Sequence, residues 1–137
     1  MANHTALARA YARAGFALYP TTYPETGCVS LMKAQAMGAI PITSRYATST
    51  LPELCGEYDM GPRPLNGSLS NDPGWAAEWV DAVVTAASSD FAIIQARRRS
   101  MVRWARSTFL WSRVAHIWHE AIDRSTAGTA SLPDMPT

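Results

Sequence analysis

The sequence predicts an α/β fold: a small parallel sheet of two to three strands, about five helices, and a helix-rich C-terminal half. Three observations carry this reading. Phe16-Ala17-Leu18-Tyr19 and Ile40-Pro41-Ile42-Thr43 are short runs bounded by glycine or proline, as buried strands are. Each follows a stretch of good helix formers. From Asp72 onward, apolar residues recur at three- and four-residue spacing.

The elements follow in order. Residues 5–13, Thr-Ala-Leu-Ala-Arg-Ala-Tyr-Ala-Arg, are rich in alanine and carry no breaker, so a helix is expected, stopped by Gly15. Phe16 to Tyr19 is the first strand, and Pro20 to Glu25, with two prolines, is a loop. A second helix should run from Gly27 to Met37 and stop at Gly38. Ile40 to Thr43 is the second strand, with Pro41 near its start because proline has no N–H for a ladder. Helix, strand, helix, strand with tight loops implies parallel strands and right-handed crossovers. Residues 44–72 hold Pro52, Gly56, Gly61, Pro62, Pro64 and Gly67 and should be irregular. A short helix near Leu51 to Leu54 and a short strand near Tyr58 to Met60 are expected within them.

Asp72 can cap the next helix and Pro73 suits its first position. Trp75, Trp79, Val80, Val83, Val84 and Ala87 are expected on its buried face. Ser88-Ser89-Asp90 ends this helix and caps another. That one puts Ile93, Ile94, Met101 and Trp104 on one side and Arg97, Arg98, Arg99, Arg103 and Arg106 on the other. A last helix from Leu110 to Asp123 aligns Trp111, Val114, Ala115, Trp118 and Ile122. Residues 1–124 then form one domain, and residues 125–137, rich in Ser, Thr, Ala, Gly and Pro, a disordered tail.

The chain's 137 residues, 47% of them hydrophobic, suffice for one core. A net charge of +1 with 17% charged residues argues against a nucleic-acid binder. Cys28 and Cys55 form neither a disulfide framework nor a Cys-x-x-Cys pair, so a reduced, cytoplasmic setting is expected. No run approaches the roughly 18 apolar residues of a membrane span, and the first residues lack the pattern of a secretory signal.

The chemistry concentrates in residues 19–44. A strand leads into a proline-rich loop, an acid at Glu25, then a helix opening on Thr26, Gly27, Cys28 and Val29. A helix N-terminus leaves unpaired N–H groups and partial positive charge, and at the carboxyl end of a parallel strand it suits a phosphate. Many such loops bind nothing.

This run resembles the retaining glycosyltransferases of group 1 (family 4) and their starch and glycogen synthase relatives. That family carries an acid, a spacer, usually a second acid, then Ala-x-Ala-x-Gly and a proline-led strand. Glu25 matches the first acid, and Ala34, Ala36, Gly38, Pro41 and Ile42 match the rest. Thr108-Phe109-Leu110-Trp111 is similar to the Phe-x-Trp that opens the family's last helix. The resemblance spans about residues 5–123 and implies the C-terminal, donor-binding half of a GT-B fold, a partial Rossmann-like unit. It implies transfer of a sugar from a nucleotide-sugar donor with retention. Glu25 would hold the donor sugar and support charge at the anomeric centre. Thr26 and the amides of Gly27, Cys28 and Val29 would hold phosphate or sugar. No metal or other cofactor is implied.

Two departures stand out. The second acid, which grips the nucleotide's ribose in that family, falls on Lys33, and an ammonium cannot accept those hydrogen bonds. The acceptor-binding half and the earlier strands of the donor half are also missing, so a further domain or partner chain would complete the cleft and the chain alone should be inactive. The alternative is a non-catalytic interaction module derived from such an enzyme.

The remaining features have plainer readings. His116, His119 and Glu120 have helical spacings but do not form His-Glu-x-x-His, so they read as a solvated face. The arginines read the same way. Cys28 reads as a small packing residue and the tryptophans as core. The apolar side of the last helix, without the half it would cross onto, invites a partner chain or self-association.

Overall fold

The computed structural model describes residues 3–129. They form α1 (His4–Arg13), β1 (Phe16–Tyr19), α2 (Val29–Met37), β2 (Ile40–Thr43), α3 (Leu51–Cys55), 3-10 turns at Gly56–Tyr58 and Leu69–Asn71, α4 (Pro73–Ala87), α5 (Phe91–Phe109) and α6 (Trp111–Thr129). The fold is α/β, with a sheet of two parallel strands among the described residues.

β1 and β2 pair in the register Phe16↔Ile40 to Tyr19↔Thr43, joined through α2, which packs against α1 and α5. Side chains alternate across a strand, so β1 serves two clusters. Ala17 and Tyr19 pack against Cys28, Leu31, Leu51 and Cys55. Phe16 packs against the cluster of Ile40, Tyr58, Ile94 and Met101. Every residue of β2 is buried, as a strand covered on both faces should be.

The expected third strand near Tyr58 to Met60 does not form. The outer edge of β2 is closed by single bonds instead: Met60 N–H donates to Pro41 O at 2.9 Å, and Thr43 N–H to Asp59 Oδ1 at 3.0 Å. Pro41 has no N–H for a third strand to accept, and the Asp59 carboxylate occupies the donor that remains.

Helix ends follow their caps. Asn3 Oδ1 accepts from Ala6 N–H at 2.8 Å, Asp72 Oδ1 from Trp75 N–H at 3.2 Å, and Asp90 Oδ1 from Ala92 N–H at 2.8 Å. α2 ends on Gly38 at φ 100°, with Ala39 N–H bonded to Ala34 O at 2.9 Å, a left-handed cap that a side chain would strain.

The arginine stripe of α5 is more than a solvated face. Arg98 donates from Nε to Gly38 O at 2.8 Å and from Nη2 to Ala14 O at 3.5 Å. Arg106 Nε reaches Ala36 O at 3.1 Å, and Arg97 donates to the carbonyls of Glu57 and Tyr58. These oxygens lie at helix ends, where carbonyls lack partners and the dipole favours cations. Arg99 and Arg103 remain exposed. Arg98→Ala is therefore expected to cost about 1.5–3 kcal/mol, the worth of charge-assisted bonds, read as a shift in urea midpoint.

The C-terminal helices depart from the sequence reading in phase and length. The inner face of α4 runs through Trp75, Trp79, Ala82, Val83 and Ala86, while Val80 and Val84 are exposed. On α5, Ile94, Met101 and Ala105 are buried and Ile93 is exposed. α6 continues to Thr129, so residues 125–129, expected in a tail, are helical; Thr126 Oγ1 donates back to Asp123 O at 3.0 Å. Residues 130–137 of that expected tail lie outside the described residues. The tryptophans divide: Trp75 is 1% exposed, Trp79 and Trp104 are half-buried, and Trp111 is 82% and Trp118 66% exposed. Among the described residues no helix is long and apolar enough to cross a membrane.

Candidate functional site

Two loops meet beyond the carboxyl ends of the strands, where open α/β sheets bind ligands. The first, between β1 and α2, carries Glu25 to Cys28. The second, between β2 and α3, carries Ser44 to Thr50. Ser44 Oγ donates to Thr21 O at 2.6 Å and Ser44 N–H to Tyr19 O at 3.3 Å. Thr50 donates to Glu25 O from N–H at 2.7 Å and from Oγ1 at 3.1 Å. These bonds span 23 to 25 residues of sequence and fix the main chain of Glu25 to the second loop.

The half-buried Glu25 carboxylate accepts the Tyr19 hydroxyl from the end of β1. That bond raises the Tyr19 phenol well above its ordinary value, because only the protonated phenol can donate it; burial, the nearby Cys28 and, least, repulsion from the carboxylate push the same way. A folded value above the unfolded one makes the contact stabilising below about pH 10, and the stabilisation is lost as pH rises through the folded value. Tyr19 is therefore expected to stay protonated where free tyrosine ionises. Glu25→Ala should bring its titration down toward that of an ordinary phenol, followed by near-ultraviolet absorbance.

Cys28 is the N-cap residue of α2 and makes no side-chain capping bond. It is 6% exposed and packs with Leu31, Leu51 and Cys55, a packing role. Burial also pushes the Cys55 thiol up, away from reactivity. Thr26, Gly27, Val29 and Ser30 are exposed.

One of the three amides read from the sequence, that of Val29, is already bonded within the chain. α2 begins at Val29 rather than Gly27, and Val29 N–H is spent on Gly27 O at 3.0 Å. The first intrahelical bond from the cap is Met32 N–H to Cys28 O at 3.1 Å. Among the described residues, the N–H groups of Cys28, Ser30 and Leu31 meet no acceptor, as the first turn of a helix requires, and neither does that of Gly27 just ahead of it. Lys33 is exposed one turn further on, lining cavities toward α1 and toward the α5–α6 junction, neither of which includes Glu25.

The sequence reading missed the residues that hold the site together: Tyr19, Ser44, Thr50, Arg45 and Asp59. Arg45 takes the left-handed region at φ 47° without being glycine. Its N–H donates to Thr43 Oγ1 at 3.0 Å and its Nη2 to Asp59 O at 2.7 Å, while Nε stands 3.6 Å from Asp59 Oδ2. For Ser44, Arg45 and Thr50 the position after β2, at the same edge as Glu25, was the available signal; Tyr19 ends β1 itself, and Asp59 returns to this edge from beyond α3.

Among the described residues, no group of three or more His, Cys, Asp or Glu side chains is placed to hold a metal ion. His116 and His119 pair along α6 with Glu120 at 3.2 Å and Asp123 at 3.0 Å. Comparison of the chain with known proteins returns no matching family model, no matching curated sequence and no matching solved structure.

Proposed function

We propose that the chain is the donor-binding part of a retaining glycosyltransferase, taking a nucleotide-sugar at the loop from Glu25 to Leu31. The observation that carries this reading is one loop, beside the carboxyl ends of parallel strands, that holds both a half-buried carboxylate and the open amides at the start of α2. The run from Glu25 to Ile42, with its resemblance to the family's motif, supports it as well. Glu25 Oε1 is engaged by Tyr19, and a carboxylate retains further lone pairs for sugar hydroxyls. Gly27, Cys28, Ser30 and Leu31 would supply N–H groups to the distal phosphate. Transfer in this reading needs the acceptor-binding half of the cleft, from a further domain or partner chain.

Titration of the isotope-labelled chain with nucleoside diphosphates and their sugar derivatives tests it. Amide resonances from Glu25 to Leu31 are expected to move while those of Arg97 to Arg106 stay still. Glu25→Ala should lose the sugar-dependent part of the binding and keep the diphosphate part. Silence from Glu25 to Leu31 at millimolar ligand would sink the reading.

A second reading, an interaction module without catalysis, is favoured by Lys33 at the second-acid position and by the exposure of Trp111 and Trp118 on α6. In that case the diphosphates leave all resonances unmoved and a partner chain moves those of α6.

A further inference from the structure

Where α5 meets α6 the chain leaves the helix at Leu110, beside residues of α2. This junction holds a cavity of about 410 Å³, within the range of roughly 300–1,000 Å³ of small-molecule pockets. Met32 and Ala36 of α2, Phe109 of α5, and Trp111 and Val114 of α6 form its apolar wall. Among the described residues its charged lining is Lys33 and Arg106, with no carboxylate.

Both cations have capacity to spare. Among the described residues Lys33 makes no hydrogen bond or ion pair, and Arg106 uses Nε on Ala36 O while its terminal nitrogens meet no acceptor. An oily cleft edged by two unneutralised cations matches a molecule with an apolar chain and a compact anionic head. A second copy fits less well. Its α6 would bring the acids Glu120 and Asp123, which already pair with His116 and His119 of their own helix.

We propose that this cleft binds one free, single-chain anionic amphiphile, its alkyl chain along Met32, Ala36, Phe109 and Trp111 and its phosphate-like head between Lys33 and Arg106. The site includes neither Glu25 nor the amides of Gly27, Cys28 and Ser30, so it stands or falls separately from the donor reading.

Dodecyl phosphate, kept below its micelle concentration, is the probe; dodecanol and inorganic phosphate are the controls. Calorimetry is expected to give one site per chain, and tryptophan emission to shift to the blue as Trp111 is covered. Lys33→Glu, on an exposed side chain, should weaken dodecyl phosphate about tenfold or more, the scale of one charge-assisted contact. Val114→Glu, which puts an acid in the wall, should weaken it as well. Inorganic phosphate alone should not bind, and dodecanol should bind about tenfold more weakly than dodecyl phosphate. Equal affinity for dodecanol, indifference to Lys33→Glu, binding only to anionic vesicles or micelles, or self-association that covers Trp111 without ligand would each overturn the proposal.

Discussion

Asp59→Ala is expected to destabilise the fold by about 3–5 kcal/mol, the cost of leaving several donors without their buried acceptor. Asp59 is 3% exposed. Its carboxylate accepts from Thr43 N–H at 3.0 Å, from the Thr43 hydroxyl, and from Gly61 N–H at 2.8 Å, with Arg45 alongside. Alanine would strand two main-chain donors and a hydroxyl beside the buried strand β2, and each stranded group costs about 1–3 kcal/mol. Arg45 is partly exposed and would turn to solvent, so the main-chain donors dominate the loss. Asp59→Asn keeps one acceptor oxygen and should cost less. Urea unfolding with an unchanged slope measures both. A loss for Asp59→Ala under about 1 kcal/mol would place this carboxylate among surface ion pairs and refute the assignment.

Gly61→Ala should cost about 3 kcal/mol or more for a different reason, which is overpacking. A Cβ on Gly61 would stand 2.2 Å from Thr43 O and 3.1 Å from Asp59 Oδ1. The first contact is with backbone of the buried strand β2, so the loop must move away, and its bond to Asp59 goes with it. Gly27→Ala is the control: no atom lies within 4 Å of its Cβ, and a change within about ±0.5 kcal/mol is expected. Asp59→Ala and Gly61→Ala break one network, so the double variant should lose less than the sum of the two. Full additivity would mean that the loop does not act as one unit.

Local signals carried much of the fold. Asn3 was not singled out as a cap, but Asp72, Pro73, Asp90 and Gly38 sit where their chemistry puts them, and both strands have the expected bounds. Tertiary choices were less visible. Val80 and Val84 obey the same three- and four-residue spacing as Trp75 and Trp79, so periodicity alone left the phase of the α4 inner face open. The carbonyls met by Arg97, Arg98 and Arg106 lie 39 to 84 residues away in sequence, beyond any local pattern. The same holds for the site. Glu25 and the start of α2 adjoin in sequence and could be read together. The ties from Thr50 and Ser44 come from the neighbouring strand's loop and appear only on folding.

The exposure of α6 has a consequence for how stability is shared along the chain. Apart from the half-buried Val114, its described side chains from Trp111 to Thr126 are exposed. A lone helix of 19 residues is near the margin of persistence in water. Its distal amides should therefore exchange with deuterium through cheap local fraying, whereas those of Ile40, Ile42 and Thr43 wait for global opening. A protease would find the chain in two kinetic classes, nicking the outer turns of the arm long before the sheet yields.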